Sequence, residues 1–167
     1  MKRSELKKII EESLSEDTAR KETQEHIDTV GRNLDVVVDD LKLRKEVHDK
    51  SKLEEPEFST FVEFTPKLKG STYGSEEYDK FLSDMKPALD HHYANNSHHP
   101  EHHEDGVNGM TLVDLLEMIA DWHAATQRHD NGDIKKSIEL NKERFNISDQ
   151  LCDILRNTAA LFTCDND

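Results

Sequence analysis

The chain has 167 residues, of which 34% are hydrophobic and 35% charged, and its formal net charge is −14. That length suits a single domain. The charge argues against a nucleic-acid backbone or an anionic membrane as main partner, since both need a cationic surface, but leaves room for a small anionic substrate where metal ions supply local positive charge.

The elements read almost entirely as helix, with only six glycines and four prolines. Leu6, Ile10 and Leu14 recur at i+4 and predict a short amphipathic N-terminal helix over 1–16. A longer helix follows over roughly 17–40, with Ile27, Val30, Leu34, Val37/Val38 and Leu41 as its apolar stripe and His26 on the same line. Asp39-Asp40 reads as a break and a new cap, leading to a short helix that ends at His48-Asp49. Residues 52–75 hold Pro56, Pro66, Gly70 and Gly74 and read as one long irregular loop, with FVEF as a candidate short strand. Such a loop is either a lid or a segment packed down by Phe58, Phe61, Phe64 and Tyr73. A helix over 76–94 carries Tyr78, Phe81, Leu82, Met85 and Leu89, with a kink expected at Pro87. The stretch HHYANNSHHPEHHEDGVNG follows as turn and short helix, with Pro100 at a first helical position. Thr111 then caps the helix TLVDLLEMIADWHAATQRH, expected to end near Asn131-Gly132, and residues 133–145 and 148–162 read as two closing helices. The expected fold is all-α, one compact helical bundle spanning 1–167.

Cys152 and Cys164 form no CxxC pair, so they read as two thiols in a reducing compartment and not as a zinc site. No apolar run approaches the roughly 20 residues of a membrane span. The opening MKRSELKK lacks the apolar region of a secretory signal. A cytoplasmic location is expected.

The chemistry sits in the histidines. There are ten, and His91, His92, His98, His99, His102 and His103 fall within thirteen positions. Imidazole and carboxylate are the ligands of zinc, iron, manganese and related ions. His26, the pair His48-Asp49, the cluster and Asp121 therefore predict a metal site assembled from separate helices. On the helix after Thr111, Leu112, Leu115, Leu116, Ile119 and Trp122 share one face, and Asp114, Glu117, Asp121, Ala124/Ala125 and Arg128 share another. Asp114 reads as solvated. Asp121 stands among Ile119, Ala120 and Trp122, where a carboxylate needs a cation. Adjacent residues point about 100° apart on a helix, so His48 and Asp49 can share an ion only at an irregular helix end or where the carboxylate bridges two ions. Lys52 is either a phosphate-neutralising group or an ordinary surface lysine. His98/His102 and His99/His103 are i,i+4 pairs that could each face one ion if the segment is helical. His91 reads as exposed, and His123 and His129 as helix-surface or capping residues.

The ordered set His26, His48-Asp49 with Lys52 three later, and Asp121 resembles the H…HD…D signature of the HD-domain metal-dependent phosphohydrolases, over roughly 20–130. Glu22, one turn before His26, and the string HHPEHHEDGVNGM followed by IADWHAAT are similar to features of the HD-GYP subgroup, although VNG replaces GYP. The HHPEHH…LLEMIADWHAAT block also looks like a small uncharacterised family of bacteria and phages. The resemblance implies an HD-like helical domain holding one or two divalent transition ions (manganese, iron, zinc, cobalt or nickel). It implies a first site of His26, His48, Asp49 and Asp121, with Glu22 as an added carboxylate. Asp49 would bridge to a second ion held by His92, His99 and one of His98, His102 or His103.

The leading expectation is hydrolysis of a nucleotide or other small phosphoester. Asp49 would orient the attacking water, and Lys52, with Arg128 or Arg32, would neutralise the phosphate. Base recognition would fall to the 54–75 segment or Trp122. Two readings stand beside it: a di-iron oxygenase on the same scaffold, and a non-catalytic, metal-stabilised interaction module. The N-terminal helix could serve a homo-oligomer or pack within its own chain.

Overall fold

A computed structural model describes residues 3–71, 75–128 and 132–163, the side chains of 9–12 and 163 excepted. Every regular element among them is helical, so the chain is all-α. It divides into an N-terminal unit through Leu43 and a C-terminal unit from Arg44. None of the described helices is long and apolar enough to cross a membrane.

The first difference from expectation lies in the opening residues. One uninterrupted helix, α1, runs Arg3–Val47 in place of three. No proline occurs in that range, and Asp39 does not cap a new helix. Its Oδ1 accepts from Lys42 Nζ at 2.9 Å along the same surface, a pairing that supports a continuing helix. The Ile10 side chain lies outside the described residues.

The second difference is the segment 52–75, which is mostly helix. A 3₁₀ turn covers Lys50–Leu53, and α2 covers Glu57–Gly70, including the residues of FVEF. Phe58, Phe61, Phe64 and Leu68 recur at helical spacing, and that periodicity overrides the proline punctuation. Pro66 is carried inside α2. Tyr73 and Gly74 lie outside the described residues.

Helices α3 (Glu76–Asp84) and α4 (Lys86–Asn95) replace the single kinked helix expected there. Ser75 caps α3 by accepting from the Tyr78 N–H. Pro87 opens α4 instead of bending a longer helix, the position where its missing N–H costs nothing. Short 3₁₀ turns follow at Pro100–His102 and Gly106–Gly109. Helix α5 (Leu112–Thr126) starts with a reciprocal capping box between Thr111 and Asp114. Asp133 and Ser148 cap α6 (Ile134–Phe145) and α7 (Asp149–Ala159).

The core of the C-terminal unit joins α5, α6 and α7. Met118, Ile119, Ile138, Ile147, Cys152, Leu155 and Ala159 are buried together, with Leu115, Trp122 and Phe145 packed against them. Trp122 lies nearly parallel to Phe145, at 11° and 6.3 Å between centroids, and packs against this core. The core anchors α5, whose opposite side carries Glu117 and Asp121.

Candidate metal centre

The site begins where α1 ends. His48 still donates its backbone N–H to Arg44 O at 2.7 Å. Asp49 then adopts φ 56° and ψ 13°, in the left-handed region. That conformation costs a side-chain-bearing residue roughly 1–2 kcal/mol, and Asp and Asn are among the few that enter it. The irregular end brings two adjacent side chains together, with His48 Nε2 at 3.6 Å from Asp49 Oδ2.

Helix α4 contributes His92, 1% exposed. The extended backbone at His99, just before the Pro100 turn, sets the rings of His98 and His99 4.1 Å apart. Asp49 Oδ1 lies 3.3 Å from His92 Nε2 and 3.6 Å from His98 Nε2. His92 Nε2 and His99 Nε2 are 2.9 Å apart. One ligand atom from each of Asp49, His92, His98 and His99 falls within 4.8 Å of the others. His48, Asp49 and Asp121 form a second such group, in which His48 Nε2 is 3.7 Å from Asp121 Oδ1. Asp49 is common to both.

Two carboxylates behind the ring fix the imidazoles. Glu57, at the start of α2 and fully buried, accepts from His92 Nδ1 at 2.9 Å, His91 Nδ1 at 2.7 Å and Ser51 Oγ at 3.0 Å. Glu117 Oε1 accepts from His48 Nδ1 at 2.8 Å and lies 3.3 Å from His98 Nδ1. With Nδ1 turned to a carboxylate, each of His48, His92 and His98 presents Nε2 to Asp49, the arrangement by which metal-ligating histidines are oriented. Arg44 Nη1 reaches Glu117 Oε2 at 2.9 Å and Asp114 Oδ1 at 2.8 Å. Ser97 Oγ donates to Asp114 at 2.7 Å.

The chemistry of the donor set fits a metal. Asp49 Oδ1 and His98 Nε2 are buried and have no hydrogen-bond partner among the described residues. A buried polar atom left so costs roughly 1–3 kcal/mol, and here the two face each other beside two further imidazole nitrogens. A cation among them satisfies all four atoms. The other oxygen, Asp49 Oδ2, accepts from Lys52 Nζ at 2.6 Å.

The electrostatics follow. The Asp121 and Glu117 carboxylates push His48 up to about 10. Burial opposes ionisation of Asp49, but His92 and Lys52 beside it prevail and hold it well below the usual carboxylate range. Glu117 is likewise depressed, burial being outweighed by His48, His98 and Arg44. At Asp121 the His48 contact and the positive field of Lys52 and His98 prevail over burial. At Asp114 bonds from Thr111, Ser97 and Arg44 outweigh burial and bring it to about 2. Burial, with His98 and His92 alongside, lowers His99 to about 3. A neutral His99 beside the ionised Asp49 has a lone pair that a cation there could take.

Beside Lys52 lies an open groove of about 370 Å³, lined by Lys52, Phe58, Phe61, Val62, Thr65 and Pro66. Lys52 Nζ sits 5.3 Å from the Phe61 ring centroid.

Of the residues expected from sequence, His48, Asp49, His92, His98, His99 and Asp121 come together, with Lys52 bonded to Asp49. His26 and Glu22, expected as ligands, are exposed on α1 in the N-terminal unit, and that helix continues unbroken through Val47. His102 is exposed and donates Nδ1–H to Tyr93 O at 2.8 Å, and His103 Nε2 donates to Ser97 O at 2.8 Å. The i,i+4 pairing fails because the chain is extended at His99 and helical only from Pro100. Arg128 is exposed just past α5, and Arg32 is exposed on α1, where it donates to Thr29 Oγ1. Asp114 is 3% exposed, not solvated. His91 is half-buried against Glu57, and His129 lies outside the described residues.

Sequence reasoning missed Glu57, and it left Glu117 without a role. Glu117 sits one turn before Asp121 on the same face, a signal that was available. Glu57 had none, since its role depends on where α2 packs.

A protein-family model described as a family of unknown function, DUF5662, matches residues 15–161, and the chain belongs to that family. No curated protein and no solved structure matches it.

Proposed function

We propose that this DUF5662 member is a metal-dependent phosphohydrolase of HD type, acting on a nucleotide or other small phosphoester. The observation that carries the reading is Asp49, whose carboxylate is shared by a group rich in imidazole and a group rich in carboxylate. A carboxylate so placed suits the bridge of a two-ion site.

His92, His98 and His99 with Asp49 would hold one ion, and His48 and Asp121 with Asp49 the other. A divalent ion there lowers the pKa of a coordinated water and neutralises charge on a phosphoryl oxygen. The remaining work belongs to the chain. Lys52 would turn from Asp49 to a phosphate oxygen, staying within reach of both. Glu57 and Glu117 hold the imidazoles so that ligand nitrogens need not reorganise. The groove of Phe58, Phe61, Val62 and Pro66 next to Lys52 gives the organic part of a phosphoester an apolar wall. The net charge of −14 disfavours long anionic polymers and leaves small phosphoesters as the substrate class.

The test is anaerobic phosphate release from a panel of nucleotides and simple phosphoesters, by protein loaded separately with manganese, iron, zinc, cobalt and nickel. Release abolished by Asp49→Asn supports the reading. No release with any metal sinks it. Visible absorption with oxygen consumption by the iron form would replace it with the oxygenase reading, and metal bound without either chemistry would leave an interaction module.

A further inference from the structure

One face of α2 lines a groove that the packing of this helix does not fill. Phe58, Phe61, Val62, Thr65 and Pro66 recur at i, i+3, i+4, i+7 and i+8, and with Lys52 they form the open groove of about 370 Å³. The inner side of α2 is occupied by other residues. Glu57 holds His91 and His92, and Phe64 meets Phe81 edge to face at 6.1 Å. Phe58 and Val62 are left 46% and 59% exposed.

The groove joins the metal centre through two residues. Phe61 lies edge to face with His92, at 6.0 Å and 72°. Lys52 Nζ sits over the Phe61 ring at 5.3 Å while bonded to Asp49 Oδ2 at 2.6 Å, and it is the only charged group of the lining. Of the lining side chains only Lys52 and Thr65 carry polar atoms. A wall with so few donors and acceptors binds by contact area and not by hydrogen-bond pattern. An open wall touches its guest from one side, so a flat ring buries more of itself there than a thicker group of equal size. The volume lies at the small end of the roughly 300–1,000 Å³ of small-molecule sites, which suits one ring system.

We propose that this groove binds one flat aromatic group against Phe58 and Phe61, so that the substrate class is a small phosphoester whose alcohol carries an aromatic ring. The inference rests on reading the metal centre as a phosphoester site. Aromatic faces gain from pairing with phenylalanine beyond the area they bury. Lys52, between Asp49 and Phe61, sets the spacing of phosphate from ring.

Calorimetric binding of phosphonates, which are not hydrolysed, tests this on the full chain loaded in turn with manganese, iron, zinc, cobalt and nickel. Methylphosphonate reports the metal centre and Lys52 alone. Benzylphosphonate adds a flat ring, and cyclohexylmethylphosphonate a saturated one. Benzylphosphonate is expected to bind about tenfold more tightly than methylphosphonate, the gain from partial burial of one ring, and more tightly than the saturated analogue. Phe58→Ser with Val62→Ser, both exposed positions, is expected to remove that preference while leaving methylphosphonate affinity and metal content unchanged. Equal affinity for methyl and benzyl, a saturated ring bound as tightly as the flat one, or a double variant that keeps the preference overturns the groove assignment and leaves the phosphoester reading standing. No phosphonate bound with any of the five ions overturns that reading and this inference together.

Discussion

Glu117→Gln is the most informative single change, because it keeps size and shape and removes only the charge that aligns two imidazoles. Its Oε1 stands 2.8 Å from His48 Nδ1 and 3.3 Å from His98 Nδ1, and its Oε2 2.9 Å from Arg44 Nη1. A glutamine can accept on one side only, so its amide nitrogen must face either the two imidazoles or Arg44, donors all. Losing a carboxylate behind one metal-bound histidine lowers metal affinity about 10- to 100-fold. Two imidazoles depend on Glu117, one of them through a short bond, so the expected loss lies near 100-fold. At about 1.4 kcal/mol per tenfold, that is roughly 2.7 kcal/mol. Competition against a chromophoric chelator measures it directly, with Glu63→Gln on the exposed side of α2 as the control. An affinity within a factor of about three of wild type, in a variant that keeps its circular dichroism, would show that Glu117 does not support a metal through His48 and His98.

Further outcomes follow from the same geometry. Asp49→Asn abolishes stoichiometric metal in elemental analysis while the helical spectrum persists, whereas His26→Ala leaves metal content unchanged; loss on His26→Ala would restore the ligand set read from sequence. Metal affinity rises with pH by about tenfold per unit below pH 10, because the Asp121 and Glu117 carboxylates keep His48 protonated to about 10 in the metal-free protein and an ion at Nε2 displaces that proton. Calorimetry in buffers of different ionisation heat would then show about one proton released per chain, with the ion that His48 holds. The same raised pKa gives the metal-free fold a contribution fully present below 6.5 and lost as pH rises through about 10. A metal in hundredfold excess over its dissociation constant raises unfolding stability by about 2.7 kcal/mol, and a chelator removes that gain. Ile119→Ala, at a side chain with no exposure, costs about 2–5 kcal/mol in urea unfolding.

What the sequence disclosed depended on the range of the interaction. Caps are local, so Thr111, Asp133 and Ser148 marked the starts of α5, α6 and α7 directly. The placing of Asp121 beside His48 and Asp49 was legible because a carboxylate stood among Ile119, Ala120 and Trp122. The continuity of α1 was not, since an aspartate pair can cap a new helix or bond along an old one, and only the Lys42 contact decides between them. Helix α2 was obscured by Pro56, Pro66 and Gly70, although Phe58, Phe61, Phe64 and Leu68 carried its period. Glu57 and Arg44 act across the fold on residues 35 and 73 positions away. No local pattern encodes such distances. His92, His98 and His99 could be nominated from residue type, but separating them from His102 and His103 required the extended backbone before Pro100.

The left-handed backbone of Asp49 has an evolutionary consequence. Glycine relieves that strain, on the order of 1 kcal/mol, so folding and ligation select opposite residues at this position. A thermostability screen blind to function would reach Asp49→Gly early, yielding sturdier protein without the carboxylate common to both groups. Among variants or descendants of this chain, glycine after His48 would mark loss of the proposed metal chemistry before any change in the helices around it.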